Sequence, residues 1–163
     1  MTGSNLRLRR WHGQAPEALL DLLRRAIRQS ARSCYSAEQI DAWLSTVPDE
    51  ASWARRLADA DVIVAGVDGR LAGFVALRSP GVVDLLFVEP DFARQGVGRA
   101  LLAAALSRAH DRRWWHLECH ASLLARPVFE AAGFRVLARQ HVPRGPCRLT
   151  NFRMVAELPR PRS

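Results

Sequence analysis

Two glycines, Gly96 and Gly98, stand between a run of strand-forming residues, Val83 to Val88, and a stretch whose apolar positions Val97, Leu101, Ala104 and Ala105 have helical spacing. The helical spacing begins where the glycines stop. A helix that opens on glycines presents free backbone N–H groups and the positive end of its dipole, a setting for a phosphate or pyrophosphate. The preceding strand ends at Glu89, because Pro90 has no N–H to give a sheet ladder. Such glycines also suit a turn on steric grounds alone, so they do not dictate the chemistry by themselves.

Two acidic groups lie within otherwise apolar strands, Asp84 in the first run and Glu118 in Trp114–Cys119. A buried carboxylate is costly unless paired or used, and burial raises its pKa toward that of a general base. Each therefore reads as a base or as one end of an ion pair with an arginine. Glu89, in a loop, reads as solvated. Among the histidines, His116 and His120 share a strand face, but Cys119 points the opposite way and a third ligand is missing, so no metal site is expected. Cys34, Cys119 and Cys147 are odd in number and far apart, the pattern of reduced thiols.

The 163 residues carry a formal charge of +8, and all 24 basic side chains are arginine. They are scattered without a dense block, so no nucleic-acid partner is expected; attracting an anionic cofactor is a sufficient use for the charge. An apolar content of 48% suits one domain over residues 1–163, with a frayed tail at 158–163. No apolar run approaches a membrane span and no signal-peptide core is present, so a cytoplasmic location off the membrane is expected.

Asn5–Trp11 alternates as a half-buried strand, and Pro16 opens a helix with Leu19, Leu22, Leu23, Ala26 and Ile27 on one face. Ser36 to Gln39 is a capping box for a helix over about 37–45, and Asp49 caps a third through Trp53 and Leu57. Tyr35 and Trp43 read as packing residues or as pocket lining; Trp53 reads as core. Asp61–Val67 and Arg70–Arg78 form a hairpin about Asp68-Gly69, a pair suited to a type I′ turn. After the glycine-led helix come the strand Trp114–Cys119, a helix capped by Ser122 and stopped by Gly133, and the strands Phe134–Val142 and Leu149–Leu158.

The order of strand, Val88-Glu89-Pro90-Asp91-Phe92, Ala93 to Gly98 and leucine-rich helix resembles the acyl-CoA-binding motif of the GNAT (Gcn5-related) N-acetyltransferases, with Ala93 where that family carries Gln or Arg. Ala121 to Phe134 is similar to a second segment of the family. Tyr35, Trp43 and the ending from Gly145 through Asn151-Phe152-Arg153-Met154 resemble a bacterial subgroup of small YafP-like acetyltransferases. The resemblance implies an α/β (α+β) fold, a mixed, mostly antiparallel twisted sheet of six or seven strands flanked by about four helices. It also implies acetyl-CoA as cosubstrate. Leu86, Phe87 and Val88 would pair with the pantetheine arm, with the Val88 N–H near the thioester oxygen. Arg94, Gln95, Gly96, Val97, Gly98 and Arg99 would wrap the pyrophosphate, and Ser122, Arg126 and Phe129 would complete the cofactor site.

Acetyl transfer needs a held thioester, a polarised carbonyl, an acceptor for the ammonium proton and a proton for the leaving thiolate. Asp84, acting through water, is favoured as the base over Glu118. The helix position that often carries the family's tyrosine is Phe129, which cannot donate a proton, and the single tyrosine is Tyr35. His120, Cys119 and Ser122 are other conceivable donors, but a thiolate leaves readily and water is expected to suffice. By the same resemblance Tyr35 and Trp43 border the acceptor groove. The expected activity is direct transfer of an acetyl group to a primary amine of a small molecule or exposed peptide, by a monomer or homodimer. The missing tyrosine supports the alternative, a non-catalytic acyl-CoA-binding sensor or interaction module.

Overall fold

The computed structural model describes residues 5–162. Strand β1 (Leu6–Arg10) is followed by helices α1 (Pro16–Gln29), α2 (Ala37–Ser45) and α3 (Glu50–Ala58), then by strands β2 (Asp61–Val67), β3 (Arg70–Arg78) and β4 (Val82–Val88). Helix α4 (Val97–Asp111), strand β5 (His116–Ser122), helix α5 (Arg126–Ala131) and strands β6 (Arg135–Arg144) and β7 (Cys147–Glu157) complete the chain. The seven strands form one sheet in the order β1-β2-β3-β4-β5-β7-β6. Every neighbouring pair is antiparallel except β4 and β5.

Helices α1 to α3 cover one face of this sheet. Leu19, Leu20, Ile27 and Trp53 pack there on Val62, Val64 and Phe74. Helices α4 and α5 cover the other face, where Leu101, Leu102, Ala105 and Phe129 meet Val75, Leu117 and Met154. The local signals act as expected. Ser36 Oγ accepts from the Gln39 N–H at 3.1 Å while Gln39 Oε1 accepts from the Ser36 N–H at 2.9 Å, and Asp49 accepts from the Ser52 N–H at 2.8 Å. Asp68 and Gly69 both adopt positive φ, 49° and 80°. Trp53 is fully buried.

The second half corrects several boundaries, and the last two strands run on to Arg144 and start at Cys147, closer to the turn between them than expected. Strand β5 begins at His116 rather than Trp114, because Arg113 turns left-handed (φ 59°) and the Trp114 N–H closes α4 on the Ala109 carbonyl. Ser122 ends β5 and accepts from the Ala125 N–H at 3.1 Å in a turn; it is not the cap of α5, whose cap position is Ala125. Pro127 falls within the first turn of α5, where a missing N–H costs no helical hydrogen bond. Helix α4 starts at Val97, so Gly98 lies inside its first turn. Among the described residues five α-helices flank the sheet, one more than the about four expected. The tail is tied at its first residue, since the Leu158 N–H donates to Trp115 O at 2.8 Å; Ser163 lies outside the described residues.

One irregularity shapes the centre of the sheet. Leu77 pairs with Val83 and Ala76 with Leu85, which makes Asp84 the extra residue of a β-bulge. On its other side β4 meets β5 only through Val82↔Glu118 and Val83↔Cys119. The two parallel strands therefore part where the bulge begins.

Candidate active site

The parting leaves one edge of β4 open. The Glu89 N–H donates to Ala72 O on β3 at 2.8 Å. Alternate residues of an antiparallel strand turn their N–H and C=O to the same neighbour, so Phe87 and Leu85 also face β3. Leu86 and Val88 then offer their main-chain groups to the parted side. Phe87 contributes no main-chain group to that edge, contrary to the expectation from sequence; its ring instead forms a wall, 6.5 Å from the Trp43 ring.

At the end of β4 the chain passes through the short helical turn Pro90–Phe92 to α4. Among the described residues, the N–H groups from Arg94 to Arg99 have no acceptor within the protein. Left-handed Arg94 (φ 61°) and Gly96 (φ 81°) curl this segment at the mouth of α4, an arrangement that favours an anion. Gly98 answers to packing instead. A Cβ there would lie 3.3 Å from Val128 Cγ1 and 3.6 Å from Val88 Cγ2, so its absence lets α4 pack closely beside α5 and β4.

A cavity of about 530 Å³ occupies the gap. Its walls come from both layers: Tyr35, Trp43, Arg56 and Leu149 on the side of α1 to α3, and Cys119, Ala125 and Phe129 on the side of α4 and α5. Asp84, Leu86, Phe87 and Ser122 also line it, whereas Glu118 and Arg126 do not. Arg126 instead pairs with Glu130 and stacks its guanidinium 4.3 Å from the Phe152 ring centroid. Phe129, buried, packs edge-on against Phe134 with ring centroids 5.0 Å apart.

The two acids differ in setting. Asp84 is held in a two-pronged pair by Arg56 of α3, with Nε at 2.9 Å from Oδ2 and Nη2 at 3.0 Å from Oδ1. Glu118 pairs with Arg153 on β7. That hydrogen bond outweighs desolvation and holds the Glu118 carboxyl below its usual range, so of the two readings of this acid the structure shows the arginine ion pair and not the burial-raised base. Tyr35 is also committed. Its hydroxyl donates to Thr150 O at 2.6 Å and accepts from the Leu123 N–H at 2.9 Å. Burial raises its pKa, against the lowering effects of the Leu123 hydrogen bond and nearby Arg144. His120 Nδ1 lies 3.0 Å from Gln140 Oε1.

Several lining residues escaped the sequence reading: Arg56, Thr46, Arg144 and Asn151. Only Asn151 left a signal there, as a polar residue in phase with Cys147 and Leu149 on the inward face of β7.

A family model described as an acetyltransferase (GNAT) domain matches residues 31–156, which contain the bulge, the parted strands and the amide-lined mouth of α4. The chain belongs to the GNAT acetyltransferase family. YafP, an uncharacterized N-acetyltransferase of Escherichia coli (strain K12), is 32% identical over 151 residues, which cover 93% of this GNAT chain and 95% of YafP. The GCN5-related N-acetyltransferase of Rhodopseudomonas palustris has 30% identity and a TM-score of 0.89, covering 97% of this chain and 99% of that one. At 19% identity, yncA of Salmonella typhimurium, solved with its cofactor acetyl-CoA, shares the GNAT fold with a TM-score of 0.72 over 98% of each chain.

Proposed function

We propose that this GNAT chain transfers the acetyl group of acetyl-CoA directly to a primary amine of a small molecule or an exposed peptide. The observation that carries this reading is the open edge of β4 leading straight into the unpaired amides at the mouth of α4. One offers strand-like hydrogen bonds to an extended amide-containing arm, and the other suits a pyrophosphate. Loss of a side chain at Ala93 leaves these main-chain donors in place.

In this reading Leu86 and Val88 hold the pantetheine arm, and the Val88 N–H polarises the thioester carbonyl. Arg94 to Arg99 hold the pyrophosphate, while Ser122 and Phe129 wall the arm where it crosses the sheet. The amine approaches from the side of Tyr35 and Trp43. Asp84, fixed by Arg56, takes the ammonium proton through water. The departing thiolate takes its proton from solvent, since Phe129 has none to give and the Tyr35 proton is engaged by Thr150 O.

Calorimetric titration with acetyl-CoA and with coenzyme A, paired with free-thiol release over a panel of amines, tests the proposal. Binding with thiol release supports transfer; binding without release from any amine favours an acyl-CoA-binding module. No heat and no thermal shift at millimolar ligand removes both.

A further inference from the structure

The acceptor side of the cavity holds two groups that acetyl transfer does not use. The charged side chains lining the cavity are Arg56, Asp84 and Arg144, with His120 the remaining titratable imidazole beside the Cys119 thiol and Tyr35 hydroxyl. Arg56 and Asp84 neutralise each other. Arg144, half-buried at the end of β6, has no carboxylate within ion-pair distance among the described residues; its Nη1 donates only to the neighbouring Pro143 O at 2.9 Å. A guanidinium on a cavity wall without a counter-ion is free to take one, and its fork of donors matches a carboxylate or phosphate.

Asn151 supplies the second observation. It is 8% exposed, lies on the cavity wall, and its Oδ1 is buried without a hydrogen-bond partner. Buried carboxamides are nearly always satisfied; here Oδ1 is sealed from the cavity as well as from solvent, and it is the rest of the side chain, whose Nδ2 makes no hydrogen bond within the protein, that borders the cavity with a donor to offer a ligand. Gln140↔Asn151, Val142↔Leu149 and Arg144↔Cys147 are successive cross-strand pairs in one phase, which puts Arg144 and Asn151 on the same face of the β6–β7 hairpin. That face packs toward α2, away from the amides of α4. The phosphates of the coenzyme therefore leave Arg144 uncompensated.

We infer that the acceptor is an amine carrying an anionic group, a carboxylate or a phosphate, that pairs with Arg144, with the Asn151 carboxamide hydrogen-bonding the same molecule. This rests on the acetyltransferase reading and names its substrate class. The aromatic and aliphatic wall of Trp43, Phe87, Val142 and Leu149 suits an apolar body between the amine and the anion.

The test measures thiol release at saturating acetyl-CoA with amines matched except for charge: para-aminomethylbenzoate against the corresponding benzamide, and phosphoethanolamine against ethanolamine. The anionic member of one pair is expected to have kcat/KM at least about tenfold higher, through KM, and the pair that shows it distinguishes carboxylate from phosphate. In Arg144→Gln this ratio falls to near one, and in Arg144→Lys part of it returns. Comparing ratios between proteins cancels differences in amine basicity. Asn151→Leu is expected to raise Tm, by removing an unsatisfied group, while raising KM for the preferred amine. Equal rates within both pairs, preference for the neutral members, no release with either anionic amine, or a ratio unmoved by Arg144→Gln overturns the inference. An unchanged KM in Asn151→Leu removes Asn151 from it. Calorimetry of the wild type with acetyl-CoA is read separately. Heat without anionic preference defeats only the acceptor assignment, whereas no heat defeats the acetyltransferase reading as well.

Discussion

Tyr35 ties three segments through one oxygen, its own turn, β7 at Thr150 and the loop after β5 at Leu123. Tyr35→Phe leaves a part-buried carbonyl and a part-buried N–H without partners, which costs about 2 kcal/mol of stability. Turnover is expected to fall less than tenfold; urea unfolding and thiol-release kinetics on the same protein separate the two effects. A loss of two orders of magnitude in kcat, with the fold intact, would make Tyr35 the proton donor. The sequence placed Tyr35 near the site through family likeness, but its engagement was invisible because both partners are main-chain groups far along the chain. Arg56 was illegible for a different reason. Where every basic residue is arginine, nothing in the spacing says which of 24 meets Asp84.

Strand β4 sets the geometry of the site. Its residues read as an apolar run broken once, at Asp84, and because the apolar side chains on either side suit both faces, that one polar residue does not by itself announce the bulge. The sequence therefore located the strand and missed the point where it leaves β5. The consequence is directional: Val88 turns its N–H outward while Phe87 turns inward to β3. Val88→Pro removes one outward donor at the strand's last position and is expected to fold, yet to lose about a hundredfold in kcat. Phe87→Pro breaks the ladder and is expected to unfold. Circular dichroism and rate measurements on the pair check the assignment; a fully active Val88→Pro refutes it. The late start of β5 has a similar origin, since the pair Trp114-Trp115 is apolar but the left-handed Arg113 assigns Trp114 to the helix terminus.

Across the whole molecule, Asp61 joins β1, β2 and α4. Arg108 and Arg112 reach its Oδ2 at 2.7 and 2.8 Å, and Arg10 lies 3.7 Å from Oδ1. Burial alone would raise the Asp61 carboxyl, but the hydrogen bond from Arg108 and the three positive charges outweigh it and hold the pKa below the usual carboxylate range. A depressed folded-state pKa contributes stability that is complete above the unfolded value, about 4, and is lost as pH falls through the folded one. Asp61→Asn is therefore expected to lose about 2 kcal/mol near neutrality, with its gap from the wild type closing on acidification. Urea unfolding across that range checks it; a gap independent of pH refutes it.

The cavity that crosses the sheet has a further consequence for the order of events. Cys119 stands on its wall, but desolvation, and after it the charge of Glu118, pushes the thiol up to about 12, so it is not a resting place for an acetyl group near neutrality. Direct transfer, as proposed, then requires donor and recipient to be present together in the one cavity. Double-reciprocal plots should intersect rather than run parallel. A dead-end analogue of either substrate should act noncompetitively toward the other.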